Sequence, residues 1–254
     1  MKHKLLQLLE DNARSDRATP AIRSEAAGER VKVYVYDVID SYWGASAKDL
    51  VAALATAADR PVDLHINSPG GDVFEARAMS AAVRAHAAGV TVYIDGLAAS
   101  AASYLMLAGQ QVHIADGAMV MVHNAWTIAW GNKQELRDTA DLLEKIDGTI
   151  AADYLRKTGA SVDQVASWMD AETWFTAQEA LDAKLVDSIV GAEAAAAADA
   201  TEAAARWNLS AYANAPKLAR RPPAANDEAI AAQADRVARL NRSRLAALAL
   251  RSQT

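Results

Sequence analysis

The chain has 254 residues and a mass of 27.0 kDa, enough for one substantial core and more than a single small domain needs. A hydrophobic content of 52% excludes wholesale disorder, and no run approaches the roughly 18–20 apolar residues of a bilayer span, because Leu5, Leu6, Leu8 and Leu9 are broken by Gln7 and stopped by Glu10 and Asp11. Zero cysteines exclude disulfides, thiolate metal sites and a cysteine nucleophile, and a net charge of -6 argues against a nucleic-acid-binding body.

Residues 1–30 are polar with a short leucine cluster and no sustained period, which reads as a leader or edge segment. From Val31 the pattern changes: Val31, Val33 and Val35 alternate with Lys32, Tyr34 and Tyr36, the period of a strand. Ser46 with Asp49 forms a helix-start signal, and Leu50, Leu54 and Ala58 recur at helical spacing until Pro61. The alternation repeats with a strand near Val62 to Asn67, the turn Ser68-Pro69-Gly70-Gly71, and a helix from Val73 to about Ala88 stopped by Gly89. Val90 to Ile94 is the next strand, and Gly96 opens a turn into an alanine-rich helix running to Gly109. Two short strands follow, Val112 to Ala115 and Met119 to Val122. Strand and helix alternating at this spacing predict right-handed crossovers and a mainly parallel sheet, so the body is α/β.

Between Lys133 and Lys157 a helical pattern runs uninterrupted to Gly159. At about 25 residues, roughly 37 Å, it is longer than one domain face requires and is expected to protrude into a subunit contact. Two short helices start at Ser161 with Gln164 and at Thr176 with Glu179, and the body ends near Val190. Residues 191–228 are rich first in alanine and then in proline, and read as a linker. Residues 229–254 carry Ile230, Val237, Leu245 and Leu248 on one helical stripe with arginines elsewhere: an amphipathic helix that docks on its own body or serves as a partner-binding arm. The segment 216–254 holds eight cations and three anions, +5, leaving -11 on residues 1–215.

Four features lie at the carboxyl ends of predicted strands, where open α/β sheets place ligand sites. In Asn67-Ser68-Pro69-Gly70-Gly71-Asp72 adjacent glycines form either a plain tight turn or a cradle of free amides for developing negative charge. In Gly96-Leu97-Ala98-Ala99-Ser100-Ala101-Ala102-Ser103 the first serine stands at a helix start, as an ordinary cap or as a nucleophile beside unpaired N–H groups. The sequence lacks the Gly-x-Ser-x-Gly elbow of the α/β-hydrolases. His123 ends the apolar strand Met119-Val120-Met121-Val122 and is the best-placed base among five histidines, with a structural role as the alternative. Asp170 and Glu172 precede a helix start, where they either complement its dipole or orient a base. Together these are the parts for acyl transfer to serine, and no metal or phosphate-loop motif competes.

Through Ile66-Asn67-Ser68-Pro69-Gly70-Gly71, Gly96-Leu97-Ala98-Ala99-Ser100, Met121-Val122-His123-Asn124 and Glu172-Thr173-Trp174-Phe175-Thr176-Ala177, the chain resembles the Clp-type serine endopeptidases, and most nearly their phage relatives, the head maturation proteases. The resemblance covers residues 31–190. It implies the superhelix of ββα units shared with the crotonase enzymes, with a long protruding helix and a helical or disordered C-terminal tail. It makes Ser100 the nucleophile, His123 the general base and acid, and Glu172 the third member of a triad. The amides of Gly71 and Ala101 become the oxyanion hole. The housekeeping enzymes usually carry aspartate where Glu172 stands, so Asp170 is the alternative third member. Asn124 is followed by Ala125 and Trp126 instead of the family's proline pattern.

No cofactor or metal is implied. The implied partners are polypeptide substrates, scaffold and capsid proteins in the phage case, and further copies of the chain in a ring, in a bacterial or host cytoplasm or inside the assembling head. A bacterial Clp subunit working with an ATPase is the alternative within proteases. Outside them stand an inactive structural or scaffold protein and a crotonase-like acyl-CoA enzyme.

Overall fold

The computed structural model describes residues 4–12, 21–191 and 207–216. The predicted basic helix of 229–254 lies outside the described residues. In chain order the elements are α1 (Lys4–Asn12), β1 (Ile22–Ala27), β2 (Arg30–Val35), α2 (Ala47–Ala57), β3 (Val62–Ser68), α3 (Val73–Ala85), β4 (Val90–Ala99), α4 (Ala101–Met106), β5 (Gln111–Ala115), β6 (Met119–Val122), α5 (Lys133–Thr158), α6 (Val162–Asp170), β7 (Thr173–Thr176), α7 (Ala177–Asp182) and β8 (Ser188–Val190).

Most helix starts follow from their cap residues. Ser46 accepts from the Asp49 amide, Asp72 from the amides of Phe74 and Glu75, and Ser161 from Gln164. Asn132 with Glu135 and Thr176 with Glu179 form reciprocal capping boxes. Gly159, in the left-handed region at φ 69°, closes α5. Ser100 departs from this pattern: it stands at the start of α4 and its side chain caps nothing.

The eight-stranded sheet runs β1-β2-β3-β4-β5-β8. β1 is antiparallel to β2, and the successive pairs β2-β3, β3-β4, β4-β5 and β5-β8 are parallel. β4 is long enough to serve two neighbours. Thr91 to Ile94 pair with β5, whereas Leu97 to Ala99 pair with β6, which continues antiparallel into β7. This second use of β4 shortens the helix expected after Gly96: Leu97, Ala98 and Ala99 are strand, and α4 spans only six residues. β7 was not expected either, since four residues with one buried side chain carry little strand periodicity.

One face of the sheet presents Val33, Val35, Leu64, Ile66, Val92, Ile94 and Ala98 to Leu50 and Leu54 of α2, Met79 and Val83 of α3, and Leu105 and Met106 of α4. Each fully buried Val, Leu or Ile contributes about 1.5–3 kcal/mol. On the opposite face Tyr34, His65, Tyr93 and His113 stand in register across β2 to β5, with ring centroids 4.9–5.1 Å apart.

Beside them is a second cluster. Leu97, Ala99 and Met121 from β4 and β6 pack with Leu8 of α1 and with Trp207, Leu209, Ala211 and Tyr212. The last four fall inside the stretch that reads as a linker from composition, yet all are buried. The leader region likewise contributes Leu8 to this cluster and Ile22 to the main core. Because side chains alternate along a strand, Ala98 faces the main core while its neighbours Leu97 and Ala99 face this cluster. The two layers therefore meet at the end of β4, immediately before Ser100.

Candidate active site

Ser100 occupies a sharp junction between β4 and α4, with φ 54° and ψ -122°, a conformation that costs a non-glycine residue about 1–3 kcal/mol. The amide of Ser100 donates to the Met121 carbonyl at 2.9 Å, tying the junction to β6. Its carbonyl accepts from the amides of Ser103 and Tyr104, while its hydroxyl makes no capping bond to the helix. Gly70 lies against the junction: a Cβ there would stand 2.6 Å from the Ala99 oxygen and 2.8 Å from the Ser100 Cβ. Only glycine lets the two loops approach this closely.

His123 follows the last residue of β6, and its Nε2 is 2.7 Å from Ser100 Oγ. The imidazole is flanked by Trp126 and Tyr212, with centroids at 5.2 Å and 5.5 Å and ring planes near perpendicular to its own. Burial lowers its pKa from 6.5 to about 4, opposed by the nearby negative charge of Glu172. At neutral pH the ring is therefore uncharged and free to accept the serine proton.

The antiparallel register of β6 and β7 pairs Val122 with Thr173, so its continuation sets His123 opposite Glu172. The carboxylate nevertheless makes no hydrogen bond to the imidazole. Oε1 accepts from the Asn214 amide at 2.7 Å and from Trp174 Nε1 at 3.3 Å, and Oε2 accepts from the Ala213 amide at 2.9 Å. Asp170 is not bonded to His123 either: it accepts from Asn124 Nδ2 at 2.7 Å. Asp147 of α5 accepts from the Ala125 amide at 2.6 Å, so two carboxylates secure the loop that follows the histidine.

A pocket of about 290 Å³ opens beside Ser100, lined by Gly71, Ala101, His123 and Trp126 and by residues of α5 that include Ile146 and Tyr154. Among the described residues the amides of Gly71 and Ala101 donate to no backbone carbonyl, and both residues border this space. Gly71 has φ 147°, and a Cβ would meet the Ile39 oxygen at 2.1 Å. The exchange between Ile39 and the Gly70 and Asp72 backbone fixes that loop, at 2.8 Å and 2.7 Å. Among the described residues no group of three or more His, Asp or Glu side chains converges as a metal site.

The sequence marks Trp126 only as part of a departure from the family's proline pattern and gives Tyr212 no role. Tyr212 stacks on Trp126 at 5.3 Å, and its hydroxyl donates to the Pro69 carbonyl at 2.5 Å. Trp207 Nε1 donates to Asn67 Oδ1 at 3.0 Å. The alternation of Trp207, Leu209 and Ala211 with Asn208 and Ser210 is a strand-like signal that could have marked this stretch as packed.

Comparison with known proteins agrees with the architecture. The sequence model of the Clp protease family matches residues 17–193. The chain is 30% identical over 172 residues to the ATP-dependent Clp protease proteolytic subunit 1 of Leifsonia xyli subsp. xyli (strain CTCB07), covering 67% of this chain and 87% of that one. It is 28% identical over 165 residues to the proteolytic subunit 3 of Rhodococcus jostii (strain RHA1), covering 64% and 81%. A proteolytic subunit 1 from Protochlamydia amoebophila (strain UWE25) is 28% identical over 167 residues, covering 63% and 80%. With an α/β fold of eight strands and helices to match, the chain belongs to the Clp protease family of serine peptidases.

Proposed function

We propose that this chain cleaves peptide bonds through an acyl-enzyme on Ser100, and that its substrates are scaffold and capsid polypeptides processed as a phage head assembles. The observation that carries the chemical part is the 2.7 Å approach of Ser100 Oγ to His123 Nε2 at the edge of an open pocket. His123 takes the serine proton as Oγ attacks the substrate carbonyl carbon. The amides of Gly71 and Ala101 hold the oxyanion, and His123 returns the proton to the leaving amine as the C–N bond breaks. Water, deprotonated in turn by His123, then releases the acyl group. Glu172 favours the transient imidazolium through its charge. Asp170 acts one residue away, on Asn124.

The phage assignment is supported by the motif resemblance and by residues 194–254, which lie beyond the matched family region and include the basic segment of 216–254. A second reading, a subunit that receives unfolded chains from an ATPase, is favoured by the names of the bacterial relatives. In either case copies of the chain form a ring. Leu136 and Leu142 on the exposed half of α5 supply its contact surface, while Ile146, Ile150 and Tyr154 anchor the other half.

Expression of the wild type and Ser100→Ala beside candidate structural proteins, followed by mass spectrometry, tests the substrate. Serine-dependent trimming of scaffold or capsid protein is expected. Cleavage that requires an added unfoldase supports the second reading. Failure of a fluorophosphonate to modify Ser100 would remove both, leaving an inactive scaffold or a crotonase-like chemistry.

A further inference from the structure

Residues 207–216 form a strap across the back of the Ser100–His123 pair, outside the region that the family match covers. Asn208 and Ser210 tie it to Gln7, Asp11 and Asn12 of α1, and four further hydrogen bonds tie it to the loops of the site. Trp207 donates to Asn67 at the end of β3, Tyr212 donates to the Pro69 carbonyl in the following loop, and the amides of Ala213 and Asn214 both donate to Glu172. Beneath these, Leu209 and Ala211 are buried with Leu97, Ala99 and Met121. The strap thus joins the loop that carries Gly71 to the turn that carries Glu172, and it lays one aromatic ring against the imidazole between them.

An imidazole that serves as a base must be held in one rotamer, with one nitrogen toward the nucleophile. A hydrogen bond from the other ring nitrogen to a carboxylate is the usual means. Here both candidate carboxylates are engaged elsewhere, Glu172 with the strap and Asp170 with Asn124, and Asp147 is engaged with the Ala125 amide. What does touch the ring is an aromatic pair. Tyr212 and Trp126 are stacked on each other at an interplanar angle of 11°, and each meets the imidazole at nearly a right angle, 87° and 89°. Such edge-to-face contacts are directional and resist rotation of the smaller ring. The same cover leaves the histidine only partly exposed and partly desolvated.

We propose that Tyr212 is a positioning residue for the serine-histidine pair: with Trp126 it holds His123 facing Ser100, and Glu172 acts on the base through the strap that it anchors. The strap completes the site without closing it. None of its residues borders the pocket, where Gly71, Ser100, Ala101 and His123 remain accessible to a substrate. This inference rests on the serine peptidase mechanism above.

The test is the rate at which a fluorophosphonate modifies Ser100 in the full chain, measured from pH 3.5 to 8 for wild type, Tyr212→Phe and Tyr212→Ala, with Ser100→Ala as blank and thermal unfolding of each recorded. Tyr212→Phe keeps the ring cover and loses the hydroxyl, with its bond to Pro69 and its interaction with the Ser100 side chain, so it should react within about 5-fold of wild type with its acid limb near that of wild type. Tyr212→Ala should react at least ~30-fold more slowly, a substantial share of what a positioned base contributes. Its acid limb should move from about 4 toward 6.5 as water reaches the imidazole. Should the alanine variant fail to fold, Tyr212→Leu keeps the apolar volume without the flat ring and carries the same expectation.

Wild-type rate and acid limb in the alanine or leucine variant would make the strap merely structural. Faster labelling would make it an obstruction. Either result overturns the inference while leaving the peptidase mechanism standing. No labelling of the wild type at any pH would remove that mechanism and this inference with it.

Discussion

His123 and Glu172 stand opposite one another in the continued register of β6 and β7, yet the carboxylate bonds to the amides of Ala213 and Asn214, and its direct influence on the imidazole is that of its charge. In the mechanism we propose, orientation of the base and stabilisation of its protonated form are therefore assigned to different groups.

That separation bears on substitutions of the two acids. Glu172→Gln removes the charge and, by setting an NH2 donor where one oxygen accepted, loses one of the two backbone amide contacts, whereas Asp170→Asn leaves an acceptor for Asn124. Loss of a charged hydrogen-bond acceptor is worth about 1.5–3 kcal/mol, so Glu172→Gln should lower kcat/KM by roughly 10–100-fold. Asp170→Asn should cost less than about 5-fold, since a neutral acceptor replaces a charged one at an exposed site. Peptide-cleavage kinetics of the two variants, side by side, decide which acid matters more. A larger loss at Asp170 would reverse the assignment.

The pH profile follows from the half-buried imidazole. Because folding lowers the His123 pKa from 6.5 to about 4, kcat/KM should stay level down to about pH 5 and fall through pH 4, well below an ordinary histidine limb. Stability has the matching sign. Below 6.5 the unfolded chain takes up this proton more readily than the folded one, so the contribution of His123 to stability declines as pH falls from 6.5 to about 4 and then levels off. Thermal unfolding of wild type and His123→Gln across that range isolates the contribution.

Ser100→Ala should lower peptide cleavage by on the order of 10⁴-fold or more while leaving the fold intact. The alanine keeps the positive φ, so the unfolding midpoint should change little; intact mass after fluorophosphonate treatment should show one adduct on the wild type and none on the variant.

The glycine pair makes a steric prediction. A methyl group at Gly71 meets the Ile39 oxygen at 2.1 Å and one at Gly70 meets the Ala99 oxygen at 2.6 Å, each at a positive φ. Gly70→Ala and Gly71→Ala should each lose at least about 1–3 kcal/mol in denaturant unfolding. Gly71→Ala should also lose Ser100 reactivity in the fraction that remains folded, because the loop that presents its amide must move away from Ile39. Retention of full reactivity would separate that loop from the chemistry.

Much of this protein is determined locally. The alternating valines of β2, the capping signals at Ser46, Ser161 and Thr176, and the unbroken helical pattern from Lys133 mark their elements because each rests on contacts within a few residues. The same locality makes Ser100 and His123 legible as candidates, since strand-end positions follow from strand periodicity. Distance is another matter. Only the tertiary structure brings residues 23 positions apart to 2.7 Å, by pairing the far half of β4 with β6. That pairing also turned expected helix into strand. Composition misread 207–216, where alanines and prolines nearby spell a linker, because the burial of Trp207 and Tyr212 depends on a surface built by β4, β6 and α1. The direction of the Glu172 carboxylate is decided in the same way: its partners are two backbone amides some forty residues on, and a backbone amide leaves no mark in a sequence.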